Sequence, residues 1–356
     1  MDYRCMNGKN EFQGNILDTL ITPKNIFKEF PISNEMNQHI AVSREKIKFI
    51  LIGKDKRLLV IIGPCSIHDI NAALEYAHML VKLRIYYKDY LEIVMRTYFE
   101  KPRTIIGWKG LILDPDLNNS YNVNKGIKLA RKLLININAL GLPTATEFLD
   151  IILSQYIIDL ISWGSIGART CESQIHRQMA SSFACGIGFK NSTNGDINSA
   201  INAICAARNK HVILIPNING KIVSYQTVGN PYCNVILRGG KKHSNYHAQN
   251  IAITSYTLDR LGLNKQIIID FSHDNCHKKY KFQLEIAKDI ARQLKNGSIT
   301  ISGVMVESFL LEGSQKIING KCINYGQSIT DPCLGWHDTK TILNILAEGV
   351  KYRLNP

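Results

Sequence analysis

The chain has 356 residues, enough for one large α/β domain with additions, and 45% hydrophobic against 20% charged residues is ordinary for a globular protein. Its formal charge of +14 is spread along the sequence without basic runs interleaved with aromatics, so no nucleic-acid partner is expected. No apolar run reaches the roughly 18 residues that span a bilayer, no CxxC pair occurs among the nine cysteines, and the N-terminus has neither signal nor transit pattern. No membrane association, reduced thiols and a cytoplasmic location are therefore expected.

In chain order, the spacing predicts a helix over 34–51, opened by the cap candidates Ser33 and Asn34. Short apolar runs bounded by Gly, Pro or polar residues then predict strands over 58–63, 92–96, 143–147, 165–169, 186–190, 234–238, 266–270 and 302–307. Helical periodicity lies between most of them, over 71–86, 124–139, 154–163, 196–208, 247–261 and 279–294. Strands alternating with helices in this way predict the α/β class and a (β/α)8 TIM barrel over residues 53–356. An apolar pair over 211–215 and 221–227, around a turn at 217–220, predicts an inserted β-hairpin spanning about 211–229. The first 52 residues form an N-terminal extension. Additions of this kind are expected at oligomer or regulatory contacts, because barrel chemistry sits on the loops at the strands' C-terminal face; a homodimer or homotetramer is expected.

At or just beyond the predicted strand ends stand Cys65, Arg96, Glu147, Arg169, Lys190, Arg238, His273 and Glu307. Singly, each reads as a solvated cap, a buried thiol or a satisfied core histidine. Residues that end different barrel strands converge on one mouth, however, and the barrel turns the dispersed set into a cluster. Cys65, His273 and Glu307, with Asp331 of SITDPCLGW, make a four-ligand metal set. A thiolate, an imidazole and two carboxylates suit a divalent Mn, Fe, Co or Zn ion better than Mg or Ca. Arg96, Lys101, Arg103, Arg169, Lys190 and Arg238 lie in apolar strand ends or in the segment EKPRT. A guanidinium placed there is costly unless an anion meets it, so phosphate and carboxylate groups are the expected ligands.

Long segments carry a family resemblance: DKRLLVIIGPCSIHD, LEIVMRTYFEKPRTIIGWKGL, PTATEFLD, SIGART, IGFKN, VILRGGKK, IIDFSHDN, GVMVES and YGQSITDPCLGW. Together they span nearly the whole chain, which resembles the type I, enteric-bacterial 3-deoxy-D-arabino-heptulosonate-7-phosphate (DAHP) synthases. PTATEF, SYQTVGNPY and YGQSITDPCLGW are most similar to the tryptophan-sensitive members. The resemblance implies a transferase that condenses phosphoenolpyruvate with erythrose 4-phosphate at the first step of aromatic biosynthesis. It implies that Cys65, His273, Glu307 and Asp331 hold the metal, and that Arg96, Lys101, Glu147, Ala168, Arg169, Lys190 and Arg238 surround phosphoenolpyruvate. Lys101, Pro102, Arg103 and Thr104 would reach erythrose 4-phosphate, with Lys101, His273 and Asp331 as the catalytic set. The related octulosonate-8-phosphate synthases place a different, asparagine-bearing motif at 101–104. The resemblance also implies a tryptophan effector site near IILSQY and FACGIGFK. Ser154, Ala184 and Gly186 depart there from the family's usual residues, so weak tryptophan inhibition is expected.

Overall fold

Residues Leu58–Gly63 read Leu-Leu-Val-Ile-Ile-Gly and are buried along their whole length, as a parallel strand covered by helices must be. A computed structural model describes residues 14–103, 106–318 and 320–354. In chain order these form α1 (Pro23–Glu29), α2 (Asn34–Leu51), β1 (Leu58–Gly63), α3 (Ile70–Tyr86), β2 (Leu91–Arg96), α4 (Val123–Ala139) and β3 (Thr144–Glu147). There follow α5 (Ile151–Ser154), a 3-10 turn at Ile158–Leu160, β4 (Trp163–Ile166), α6 (Gln174–Ala180), β5 (Gly186–Lys190) and α7 (Asn198–Ala207). The chain continues through β6 (Val212–Pro216), β7 (Ile222–Gln226), β8 (Cys233–Leu237), α8 (Ala248–Arg260) and β9 (Ile267–Asp270). A second 3-10 turn at Tyr280–Phe282, α9 (Gln283–Lys295), β10 (Ile301–Glu307) and α10 (Trp336–Leu354) complete it.

Strands β1, β10, β9, β8, β5, β4, β3 and β2 close in that order into a parallel barrel, and β6 pairs only with β7, antiparallel. Without that hairpin the spatial order is the sequence order, so the fold is a (β/α)8 barrel with the hairpin inserted after the fifth barrel strand. Strand period two sorts the side chains. Leu59 and Ile61 enter an inner cluster with Val94, Ala145, Ile236 and Met305, whereas Leu58, Val60 and Ile62 face the surrounding helices.

The N-terminal end of the barrel is closed by α2, whose start is capped by the Ser33 hydroxyl accepting from the Met36 amide. Ile47, Ile50 and Leu51 join the inner cluster beneath Trp163, each burial contributing about 1.5–3 kcal/mol. A Cβ at Gly186 would stand 2.4 Å from Leu51 Cδ1, so β5 begins with glycine because α2 occupies that space. Asn234 donates to the Leu51 carbonyl, and Arg353 of α10 donates to the carbonyls of Ile301 and Lys56, tying α2 and α10 to the barrel floor. The extension also meets the hairpin tip, where the Lys24 amide donates to the Ile218 carbonyl at 2.8 Å.

Most predicted elements form within a few residues of their expected bounds, and two differ. The helix expected over 154–163 is replaced by the four-residue α5 and a 3-10 turn. Side chains take the carbonyls that a helix would use: Arg131 that of Tyr156, Arg44 those of Ile158 and Ile161, and Asn138 and Thr144 that of Leu160. The strand expected over 165–169 instead starts at Trp163 and ends at Ile166, where the chain turns with the Thr170 and Cys171 amides on the Gly167 carbonyl. Helices α1, α6 and α10 add to the expected set; α10 packs closely along α9, where a Cβ at Gly349 would stand 2.9 Å from Ala291 Cα. Among the described residues no helix is long and apolar enough to cross a membrane.

Candidate active site

Parallel strands deliver all their C-terminal ends to one side, and there a cleft of about 300 Å³ opens. Lys101, Pro102 and Arg103 line one wall, from the loop after β2. Glu147, Ala168, Arg169 and Lys190 follow around the mouth from the ends of β3, β4 and β5. Arg238, His273, Glu307 and Asp331 close the ring. Thr104 lies outside the described residues.

Just past β1, Cys65 is wholly buried, and its thiol lies 3.5 Å from Asp331 Oδ2 and 3.0 Å from the Lys101 ammonium. The ligand atoms of Cys65, Glu307 and Asp331 all fall within 4.8 Å of one another. Asp331 arrives from the long segment after β10, held by Ser328 Oγ donating to its carbonyl and by Thr330 Oγ1 meeting Ser66 Oγ at 2.8 Å. Burial, reinforced by Glu307, pushes the Cys65 thiol up to about 11, so the crowded acids disfavour the thiolate until a cation joins them. Burial opposes the charge of Lys101 as well, but Cys65, Glu307 and Asp331 hold its ammonium above the ordinary range. A thiol and two carboxylates so gathered fit a divalent metal ion, which would supply the missing positive charge.

His273 lines the same cleft but stands outside that triad. Its Nδ1 lies 3.0 Å from Asp270 Oδ2 and 2.7 Å from Ser272 Oγ, and among the described residues nothing bonds Nε2. That arrangement, one ring nitrogen held and the other turned loose, is how metal-binding histidines are oriented. The residue sits at φ 60°, a left-handed conformation that a β9 continuing straight on would not contain.

The cations divide into two kinds. Arg96 is buried, pairs with Glu307 at 3.2 Å and lies 4.0 Å over the Tyr98 ring. It stands behind the cleft wall, yet its Nη1 has no hydrogen-bond partner among the described residues. Lys190, also buried, pairs with Asp270 at 3.0 Å. Arg238 is buried and pairs with Asp274, while its Nε has no partner among the described residues. Arg103, from the segment EKPRT, is exposed, and so is Arg169, against the expectation that it sits in an apolar strand end; Arg169 is three residues beyond β4 and makes no ion pair among the described residues. Arg103 is anchored by Nε donating to the Trp108 carbonyl at 3.0 Å.

Asp270 is the residue that strand-end reasoning passes over. Burial opposes its charge, but Lys190 and His273 hold its carboxyl well below the usual range, so one carboxylate positions a cation and an imidazole together. Its signal in the sequence is a lone acid closing the apolar run Ile-Ile-Ile-Asp. Asp274, Thr193, Lys278 and Tyr280 also line the cleft without a strand-end position to mark them.

The chain matches the DAHP synthetase I family over residues 11–344. It is 56% identical over 348 residues to phospho-2-dehydro-3-deoxyheptonate aldolase, Trp-sensitive, of Escherichia coli strain K12, covering 98% of this chain and 100% of that one. It is 54% identical to the protein of the same name from Buchnera aphidicola subsp. Baizongia pistaciae, covering 95% and 97%. Among solved structures, phospho-2-dehydro-3-deoxyheptonate aldolase from Francisella tularensis SCHU S4 superposes with a TM-score of 0.93 at 43% identity, covering 96% and 99%. With a family match and relatives that run nearly its full length, the chain belongs to the DAHP synthetase I family.

Proposed function

We propose that the cleft carries out the DAHP synthase reaction of this family, condensing phosphoenolpyruvate with erythrose 4-phosphate to the seven-carbon product and inorganic phosphate. The observation that carries the reading is the meeting, in one cleft, of Glu307 and Asp331, with the Cys65 thiol gathered to them from behind the cleft surface, with Lys101 and the cations Arg169, Lys190 and Arg238. These cations take the phosphate and carboxylate of phosphoenolpyruvate, and Nη1 of Arg96, without a partner among the described residues, adds a donor from behind. Arg103, with Lys101, Pro102 and Thr104, receives erythrose 4-phosphate, and Glu147 and Ala168, which line the cleft, join the cations around phosphoenolpyruvate.

Cys65, Glu307, Asp331 and Nε2 of His273 would hold a divalent ion, which would supply Lewis acidity at the aldehyde oxygen. The thiol and imidazole favour Mn, Fe, Co or Zn over Mg or Ca. Bond formation joins C3 of the enol to the aldehyde carbon, and Lys101, kept charged by its acidic neighbours, donates a proton to the aldehyde oxygen. Water adds at C2, Asp331 accepting its proton, and the C2–O bond to phosphate breaks. Inorganic phosphate release from phosphoenolpyruvate, followed with and without erythrose 4-phosphate on chelated and metal-restored protein, tests the whole reading. Release should need both the second substrate and the metal, and full turnover of chelated protein would overturn the metal assignment.

A homodimer or homotetramer, formed through the N-terminal extension and the hairpin, is supported by the exposed Val212, Leu214 and Ile222 on one hairpin face and by its contact with α1. Eight unpaired cysteines among the described residues support a cytoplasmic location. Weak tryptophan control fits the surroundings of Ser154, whose buried hydroxyl already donates to the Ile151 carbonyl at 2.7 Å.

A further inference from the structure

One carboxylate faces the cleft without a part in the chemistry above. Asp274 follows His273, lines the cleft and forms an ion pair with Nη1 of Arg238, the Asp274 side chain being 20% exposed and that of Arg238 10%. Its approach is set by backbone packing. Gly239 adopts φ 80°, and a Cβ there would stand 2.6 Å from the Asn275 amide nitrogen and 3.0 Å from Asp274 Cβ. The loop is fixed further by Asn275 Nδ2, which donates to the Leu237 and Asp270 carbonyls, while Asn275 Oδ1 accepts from the Asn245 amide. Arg238 is fixed too, its amide donating to Asn191 Oδ1. Among the described residues Asp274 is the only acceptor its guanidinium meets.

We infer that Asp274 is a built-in counter-anion that occupies Arg238 in the empty cleft and yields it to the substrate's phosphate, thereby setting phosphoenolpyruvate affinity. This rests on the assignment of Arg238 to that substrate. Two opposing effects are in play. Asp274 holds the guanidinium in place, which favours binding, but it competes for the same donors and repels the incoming anion. The main chain of Arg238 is held by its amide bond to Asn191 and by the packing at Gly239, so a guanidinium released from Asp274 stays at the cleft, where the substrate's phosphate itself orients it, and repulsion outweighs orientation. The carboxylate therefore weakens the grip on phosphoenolpyruvate and, by the same interaction, speeds departure of inorganic phosphate.

The two accounts predict opposite signs. In Asp274→Asn and Asp274→Ala, the KM for phosphoenolpyruvate and the inhibition constant of inorganic phosphate should both fall roughly three- to tenfold. The KM for erythrose 4-phosphate should stay put, and Asp274→Glu should return the wild-type values. Arg238→Ala is the control for the underlying assignment and should raise the KM for phosphoenolpyruvate. If it does so while both neutral Asp274 variants leave that KM unchanged or raise it, the inference fails alone. An unmoved KM in Arg238→Ala overturns the assignment and the inference with it. Thermal melting of each variant separates these results from a loss of fold.

Discussion

The two ends of the barrel are built from the same eight strands and solve opposite problems. At the floor, α2 covers the strand starts with Ile47, Ile50 and Leu51, and uncharged carbonyls are met by Arg44, Arg131, Asn138 and Asn234. At the mouth, buried charges are matched to one another in pairs: Arg96 with Glu307, Lys190 with Asp270, Arg238 with Asp274. Hydrophobic burial adds stability at the floor without regard to direction, whereas a buried ion pair returns little net stability and leaves groups poised for a ligand. The difference teaches that changes at the floor should be read in stability and changes at the mouth in kinetics.

The largest expected effect puts one substitution from each end side by side. Cys65→Ala removes a triad ligand and should cut phosphate release on the order of 10³-fold or more, since a metal's contribution of several kcal/mol converts to about that factor, while its melting temperature stays close to wild type. Trp163→Ala empties the space above α2 and should cost about 3–5 kcal/mol in urea unfolding, with kcat of the remaining folded protein little changed. A Cys65→Ala protein that unfolds, or a Trp163→Ala protein that is stable but inactive, breaks the comparison.

Within the mouth, Arg103→Ala and Arg169→Ala sharpen it. Both guanidinium groups are exposed, so their loss should leave stability alone and act on binding. Arg103→Ala should raise the KM for erythrose 4-phosphate, and Arg169→Ala that for phosphoenolpyruvate, each by roughly 10- to 100-fold, the value of one charge-assisted contact. Steady-state kinetics with each substrate varied in turn decides it, and equal effects in both variants would undo the division of the cations.

The smallest effect concerns control from the floor side. The Ser154 hydroxyl is engaged with the Ile151 carbonyl, Ala184 offers no hydroxyl, and Gly186 is held against Leu51. Tryptophan should therefore half-inhibit this enzyme at concentrations roughly tenfold above those for the Trp-sensitive Escherichia coli relative, if the losses add. Inhibition curves of the two enzymes at limiting phosphoenolpyruvate check this, and complete inhibition at micromolar tryptophan would refute it.

Residues 58–63, 186–190 and 34–51 take their predicted bounds because they are governed by local period: continuous apolar runs for buried strands, 3.6-residue spacing behind a serine cap for the helix. The same logic placed Glu147, Lys190, Arg238, His273 and Glu307 around one cleft, since strand direction alone sends their ends to a common mouth. What the tertiary structure decided is which group meets which. The segment 154–163 has helical spacing, yet Arg44, Arg131, Asn138 and Thr144, distant in sequence, take its carbonyls and break the helix. The pairing of Asp270 with both Lys190 and His273, and of Asp274 with Arg238, likewise depends on loops and strands far apart in the chain. Period and strand direction are properties of neighbours along the chain, so a sequence displays them; charge pairing inside a closed barrel is a property of neighbours in space, and only the folded packing settles it.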